Sequence, residues 1–594
     1  MHWDVIVVGG GHAGIEAAAA AVRVGARTAL VTANLDTIGK MSCNPSVGGM
    51  AKGQLACEVD ALGGLMGLAT DATGIQFRLL GRSKGPALWS PRAQCDKAAY
   101  AAWMQQALME LPGLDLIQGE AWTIARDDAG RVGALGLRDG RTLRCGALVV
   151  TTGTFLRGLL HQGETQTAGG RMGDQAASGL SAALAGLGLR LIRHKTGTPC
   201  RLHARGIRWE LCTEQPGDDP PPRFSFTGPG PQGAQLPCWS CRTTPEAHAI
   251  IRANVHRAPM YNGQISSVGP RYCPSIEDKV VRFGDRDEHH LFLEPEGRAT
   301  AEIYVNGLST SLPIDVQQAV LAAIPALAHA HVLRFGYAVE YDVVAPDQID
   351  HGLAARTVPG LYLAGQINGT SGYEEAAAQG VVAGANAALA LAGRAPLRLS
   401  RADAYLGVLV DDLVTRLPEE PYRMFTARAE HRLHLRAGNA DRRLAPLAAR
   451  AGLITAERAA AVAQKDAAVR AAVGSVDDVT ARRIAGDGLE LDAARALAPV
   501  LGDLPADIAT EAWTELRYGG YLERQQARIE RLARQRDLPL PADLDLDRLV
   551  SLSAEGRRVL RDRRPRTLGE AERLPGVRQG DVELLWAVLQ ARTA

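Results

Sequence analysis

The sequence contains no run of about 18 uninterrupted apolar residues, which argues against a membrane-spanning helix. Its first residues, MHWDVIVVGG, carry no basic-then-apolar leader and run straight into glycines. Cysteine is missing from the last 321 residues: all nine lie between Cys43 and Cys273, so any thiol chemistry belongs to the first half. An odd number of cysteines in a long chain argues for reduced thiols, and with the missing leader for a cytoplasmic protein. Net charge is nearly absent, 66 − 65 = +1, so a polyanionic partner has to be met by a local patch. Lysine is scarce. Only seven of the 66 basic residues are Lys, leaving 59 Arg, and this pervasive usage in an Ala-rich chain reads as coding bias more than as phosphate recognition. There is no tandem repeat and no low-complexity tail. A chain of 594 residues with 46% hydrophobic and 22% charged residues has the makeup of a globular protein of three or four units.

Residues 4–8 (DVIVV) form an apolar, β-branched run, followed by Gly9-Gly10-Gly11-His12-Ala13-Gly14 and an Ala-rich helical stretch to about Arg23. Arg27 to Val31 reads as a second strand, so the opening is a βαβ unit. Gly9-x-Gly11-x-x-Gly14 therefore stands where a dinucleotide fingerprint must stand. The first Gly makes the turn, the second admits a pyrophosphate, and the third packs the helix on the sheet, with the phosphates facing free helix N–H groups. An acidic ribose ligand is expected ~20 residues later, but the sequence has Val31-Thr32-Ala33-Asn34, leaving Thr32 or Asn34 as weak substitutes.

Two later segments favour FAD over NAD as the resident dinucleotide. Val149-Val150-Thr151-Thr152-Gly153 resembles the strand-ending turn of flavoproteins with two dinucleotide domains. Leu361 to Gly369, with Gly365 and Gln366, resembles their late strand and turn before a closing helix, here residues 373–392. A strand from Asp115 to Ala121 would offer main-chain contact to adenine. Residues 214–240, rich in Pro and Gly, read as an irregular excursion, and after Pro396 the composition turns helical.

Cys43 sits in the glycine-rich loop Met41-Ser42-Cys43-Asn44-Pro45-Ser46-Val47-Gly48-Gly49 with Lys52 behind it, conditions that stabilise a thiolate. Cys273 lies in a loop with Arg271 and Lys279 nearby. Cys238-x-x-Cys241 has no second ligand pair at metal spacing and reads as incidental. Between Arg416 and Arg443 there are seven Arg against four acids, and Arg428, Arg432 and Arg436 recur every four residues. On a helix they would share one face, available to phosphates or merely solvated. A second helix, Tyr521 to Arg536, is equally ambiguous.

Taken together these motifs resemble the MnmG/GidA family, flavoprotein subunits of the tRNA wobble-uridine 5-carboxymethylaminomethyl modification enzyme. The resemblance runs nearly end to end: GGGHAG at 9–14, MSCNPSVGG at 41–49, SKGPA at 83–87, KTGTP at 195–199, VGPRYCPSIEDKVVRF at 268–283, FLEPEG at 292–297, NGLSTSLP at 306–313, AGQINGTSGYEEAAAQG at 364–380 and EPYRMFTARAEHRL at 420–433. It implies an α/β fold: a Rossmann-like FAD-binding domain of the two-dinucleotide-domain type (1–200 and 275–395), an inserted α+β domain (201–274), a helical domain (396–540) and a C-terminal helical subdomain (541–594). It further implies a cytoplasmic homodimer, without membrane attachment, that binds FAD, is reduced by NADH, takes a methylene from methylenetetrahydrofolate and works with the GTPase MnmE on the tRNA anticodon loop.

By the same resemblance Cys43 and Cys273 are the catalytic cysteines. The FAD contacts fall on Gly9, Gly10, Gly11, His12, Ala13, Gly14, Ala121 and Gln366, with Thr32, Asn34, Thr152, Gly153 and Gly365 nearby. The nicotinamide segment runs from Gly269 to Phe283, with Arg271, Lys279 and Arg282 for phosphates, and tRNA is expected along Arg423, Arg428, Arg432 and Arg436. No metal site is implied. The chemistry is coherent, because uracil C5 is a poor nucleophile until a group such as a thiolate adds at C6. Which cysteine adds is left open. Alternatives are a folate-dependent tRNA uridine C5-methyltransferase flavoprotein, which ends without a long helical C-terminus; a disulfide reductase built on Cys238 and Cys241; and a non-catalytic flavin-containing scaffold that binds tRNA or a GTPase.

Overall fold

The computed structural model describes residues 2–265, 267, 269, 274–416, 418, 420–536, 538–574 and 576–593, without the side chains of 531–536, 579 and 593. The βαβ opening is present: strand His2–Val8, helix His12–Val24, strand Thr28–Thr32. The helix ends at Gly25, whose φ of +108° a side-chain-bearing residue rarely adopts. These strands lie in a seven-stranded sheet, with Thr28–Thr32 and Thr142–Val150 flanking His2–Val8 in parallel. Leu361–Leu363 adds in parallel to Thr142–Val150. Parallel strands have their C-terminal ends at one edge, so Gly9, Thr32, Thr151 and Ala364 leave the sheet side by side.

The expected strand from Asp115 to Ala121 is two strands, Leu114–Gln118 and Ala121–Arg126, parted at Gly119 and Glu120. Helix Tyr373–Leu391 closes the unit by lying against His12–Val24. Their contact is made of small residues. A Cβ on Gly380 would collide with the Ala13 carbonyl oxygen and one on Gly384 with that of Ala17, so the helix backbones touch directly.

The inserted region has its own core and a six-stranded sheet. Arg201–His203 is flanked there by Glu302–Asn306 and Val332–Arg334, and the apolar cluster runs from Cys200 to Leu327 with Val332 packed on it. The expected return to the dinucleotide domain at residue 275 is therefore too early, because residues beyond it still complete this sheet. A four-stranded sheet containing Leu191–Thr198 and Tyr337–Val344 joins the two regions.

Among the described residues no strand follows Leu361–Leu363, and the remainder is helical with two further apolar clusters, around Trp513 and around Leu585. Trp513 stacks on Trp89 of the first region, ring centroids 5.8 Å apart. Among the described residues no helix is long and apolar enough to cross a membrane.

Gly384→Ala should wedge the two helices apart, an overpacking cost of about 1–3 kcal/mol, seen as a lower apparent Tm. Gly519→Ala, inside helix Ala506–Arg536 with nothing within 4 Å of a new Cβ, should instead stabilise by about 0.5–1 kcal/mol. Calorimetry of the two variants checks this opposition.

Candidate functional site

The strand ends open into a cleft of about 970 Å³. Gly9 has φ +110°, and a Cβ there would lie 2.6 Å from the Thr151 carbonyl oxygen. Thr151 Oγ1 also donates to Val8 O at 2.7 Å, tying the turn to the neighbouring strand. A Cβ on Gly14 would strike the Gly9 carbonyl, so this glycine lets the helix sit on the turn. At Gly11 a Cβ meets nothing within 4 Å, and the residue lines the cleft. The helix N-terminus behind it has neither a side-chain cap nor an acidic residue in its first turn. Its N–H groups and dipole are thus free to face an anion.

Gly9, Gly10, Gly11, His12 and Ala13 line the cleft; so do Thr32 and Asn34, Ala121, Thr152, Gly153 and Gln366. Of the expected dinucleotide residues at these turns, Gly14 and Gly365 lie behind the wall. Gly365 donates its N–H to Gln379 Oε1 at 3.1 Å. Burial holds the His12 imidazole down at about 4, so it is neutral, and it stacks on Tyr373 with ring centroids 4.4 Å apart. His12 Nε2 and Thr152 Oγ1 are buried without a hydrogen-bond partner among the described residues, as is Glu120 Oε1.

Glu120 was missed by sequence reasoning. It lines the cleft beside Ala121, and the preceding Gly119 N–H donates to Thr32 O at 2.9 Å. An acid absent from the second strand's end is thus supplied by the neighbouring strand's end. Asn34 has part of its amide in use, since its Oδ1 accepts from Asp36 N–H at 2.9 Å.

Cys43 lies on the cleft wall. Its N–H donates to Tyr373 Oη at 2.7 Å, and its Sγ is 3.0 Å from Tyr304 Oη. The loop is anchored one residue on, where Asn44 Nδ2 donates to Glu294 at 2.6 Å. The expectation that Lys52 supplies positive charge to this thiol is corrected. Lys52 Nζ is 3.0 Å from Glu374 and 3.4 Å from Glu375, two buried carboxylates at the start of helix Tyr373–Leu391. Cations that do reach the loop are Arg171, whose Nη1 donates to Ser42 Oγ at 2.9 Å, and Arg201, with Nη2 3.2 Å from Ser42 O.

Cys273 and Arg271 lie outside the described residues. Gly269 packs toward Lys195. Lys279 donates to Gly307 O at 3.0 Å, while Arg282 and Phe283 are exposed. Pro274, Lys279, Phe283, Arg286, His289 and His290 enclose a second cavity of about 340 Å³ that shares no lining residue with the cleft. Cys238 and Cys241 stand three residues apart on strand Cys238–Arg242 and so point to opposite faces. Burial pushes each thiol up to about 12, and neither lines the cleft.

The helix expected through Arg428, Arg432 and Arg436 is not there. The segment is a short 3₁₀ turn, Thr426–Arg428, among irregular turns. Arg423 lines the cleft with Phe425. Arg428 is half-buried against Tyr422, its guanidinium carbon 4.4 Å from the ring centroid. Arg432 is exposed. Arg436 is buried and bonded to Glu511 at 2.5 Å, so it cannot serve as a surface phosphate ligand.

Arg436→Ala should leave buried Glu511 with only its longer contact to Arg442, at 3.8 Å, at a cost of about 3 kcal/mol, whereas Arg432→Ala should stay within about 0.5 kcal/mol of the parent. Urea unfolding of both variants reads the difference.

Residues 4–395 match the family model described as glucose inhibited division protein A, and residues 528–594 match that of the tRNA modifying enzyme MnmG/GidA C-terminal helical bundle. The chain is 48% identical to the tRNA uridine 5-carboxymethylaminomethyl modification enzyme MnmG of Rhodopirellula baltica, over 99% of this chain and 93% of that one. It is 47% identical to the protein of the same name from Protochlamydia amoebophila, over 99% and 96%. The structure of Aquifex aeolicus GidA matches with a TM-score of 0.91 and 43% identity, covering 99% of this chain and all of that one. A match over the first two thirds, a match over the C-terminal helices and near-complete overlap with these relatives lead to one conclusion: this chain belongs to the MnmG/GidA family.

Proposed function

We propose that this protein is an FAD-dependent tRNA-modifying enzyme that installs a (carboxymethyl)aminomethyl group at C5 of wobble uridine. NADH is its reductant, methylenetetrahydrofolate its carbon source, and a GTPase its partner. The observation that carries the reading is Cys43 on the wall of a cleft that the glycine turn at Gly9 to Gly11 also lines. Relatives of nearly half identity bear the name of this activity.

The residues present fit FAD. The uncapped helix end at Gly11, His12 and Ala13 suits a pyrophosphate. Glu120 Oε1 and Asn34 suit ribose hydroxyls, and the Ala121 main chain suits adenine. Thr152, Gly153 and Gln366 line the same cleft and suit the flavin end, Gln366 being held by its Nε2 bond to Tyr341 Oη at 2.9 Å. FAD supplies the redox chemistry that side chains lack.

Cys43 takes the nucleophile's role. Once its proton has left to solvent, sulfur bonds to uracil C6, the C5=C6 pair shifts toward C5 and O4, and C5 becomes nucleophilic. A wobble base leaves an anticodon loop more cheaply than a duplex base. Cys273 is assigned the second cysteine's role, and Gly269, Arg271, Lys279, Arg282 and Phe283 the nicotinamide site. Arg423, at the cleft, and Arg428 and Arg432 outside it are assigned to tRNA, and residues 541–594 to the GTPase. We assign the protein to the cytoplasm as a homodimer. The helices beyond residue 396 favour this reading over the shorter folate-dependent methyltransferase.

Gly11→Val should fold but lose FAD, because the new side chain fills the open space beside the turn; absorbance at 450 nm and calorimetry test both halves. Cys43→Ser should stay yellow and NADH-bleachable but leave wobble uridine unmodified by nucleoside mass spectrometry. Full modification by Cys43→Ser would remove the nucleophile, and a flavin that NADH cannot reduce would favour the scaffold reading.

A further inference from the structure

Tyr304 belongs to the inserted region yet touches the cysteine of the dinucleotide domain. It lies on strand Glu302–Asn306, in register with Arg201 on one side and Glu294 on the other. Its hydroxyl reaches 3.0 Å from Cys43 Sγ, and the residue is 4% exposed. The ring is covered by the Arg201 guanidinium, whose carbon is 4.8 Å from the ring centroid. Arg201 is itself fixed by Glu296 at 3.1 Å, Thr198 Oγ1 at 2.5 Å and Pro199 O at 2.8 Å. The Cys43 N–H is held by a different tyrosine, Tyr373, while the Arg201 guanidinium reaches the Cys43 carbonyl at 3.4 Å. The two tyrosines therefore divide the work: one fixes where the cysteine's main chain sits, the other where its sulfur points.

We propose that Tyr304 is a positioning residue for Cys43. Its hydroxyl holds the sulfur toward the cleft and donates a hydrogen bond to it once the thiol proton has left to solvent, while Arg201 clamps the ring. A cysteine side chain has three staggered rotamers, and a partner on the sulfur favours the one that keeps the two in contact. A hydrogen bond to an ionised acceptor is about twice as strong as a neutral one, so the contact strengthens when the sulfur becomes reactive. The cation over the ring face fixes the phenol without using its hydroxyl. Because the phenol comes from the inserted sheet, the sulfur is aligned only when that region is seated on the dinucleotide domain.

The inference rests on Cys43 being the nucleophile, and the experiment separates the two. Full-length, flavin-loaded Tyr304→Phe is treated with iodoacetamide without tRNA, and the rate of alkylation at Cys43 is followed across pH by peptide mass spectrometry. Loss of a hydrogen bond to a charged acceptor predicts about a tenfold or greater fall in rate near neutral pH, with flavin content unchanged. In the modification assay kcat should fall and KM for tRNA stay constant. If Tyr304→Phe alkylates at the parent rate with the parent pH profile, the positioning role is overturned even though Cys43→Ser is dead. If Cys43→Ser still modifies tRNA, the nucleophile reading and the inference fall together. Should Tyr304→Phe shed flavin, 3-fluorotyrosine placed at this position keeps ring and hydroxyl but changes its acidity. It should shift the alkylation profile, and an unshifted profile overturns the proposal.

Discussion

The close approach of helices His12–Val24 and Tyr373–Leu391 sets the position of nearly everything in the cleft. Gly380 and Gly384 let their helix rest on the carbonyls of Ala13 and Ala17, and Gly14 lets the opening helix rest on the Gly9 turn. The first three residues of the closing helix then land beside the dinucleotide turn. Tyr373 stacks on His12 and accepts the Cys43 N–H. Glu374 accepts the Gly48 N–H at 2.6 Å, and Glu375 accepts the Met424 N–H at 3.2 Å. One backbone contact thus brings the nucleotide turn, the cysteine loop and the segment after residue 420 to the same place.

Around that contact the molecule is joined by buried arginine–carboxylate pairs. Arg443 reaches Glu58 at 3.1 Å and Arg458 reaches Asp60 at 2.9 Å, fastening the C-terminal helices to the dinucleotide domain. Arg401 gathers Asp411, Asp412 and Glu430, and Arg573 of the last helical cluster also reaches Asp411, at 2.7 Å. Some of the arginines that read as compositional in the sequence therefore join the interfaces between regions. Planar guanidinium groups meet two acceptors at once there, which an ammonium does less well.

The opening unit and most of the cleft were legible because their signals are local: an apolar strand, glycines at fixed offsets, a small-residue helix. What was not legible depends on distant partners. The arginines at 428, 432 and 436 have helical spacing, but Tyr422 donates its N–H to Gly369 O at 2.8 Å and His434 donates its N–H to Gln525 at 3.0 Å. These bonds outweigh a weak local periodicity. The end of the inserted region was misjudged because strand Val332–Arg334 returns across more than a hundred residues to pair with Arg201–His203. Glu120 escaped notice because the expected acid was sought along the chain, whereas the sheet supplies it from the adjacent strand.

Of the helices whose N-termini lie near the cleft, the opening and the closing one are treated oppositely. The closing helix carries Glu374 and Glu375 in its first turn, so its positive pole is already neutralised from within and Lys52 answers the surplus charge. The opening helix carries no acid there and has glycine where a capping side chain would stand. A diffusible anion entering the cleft consequently meets an attractive pole at the opening helix and a screened one at the closing helix, an asymmetry that helps orient a long, phosphate-bearing molecule before any specific hydrogen bond is made.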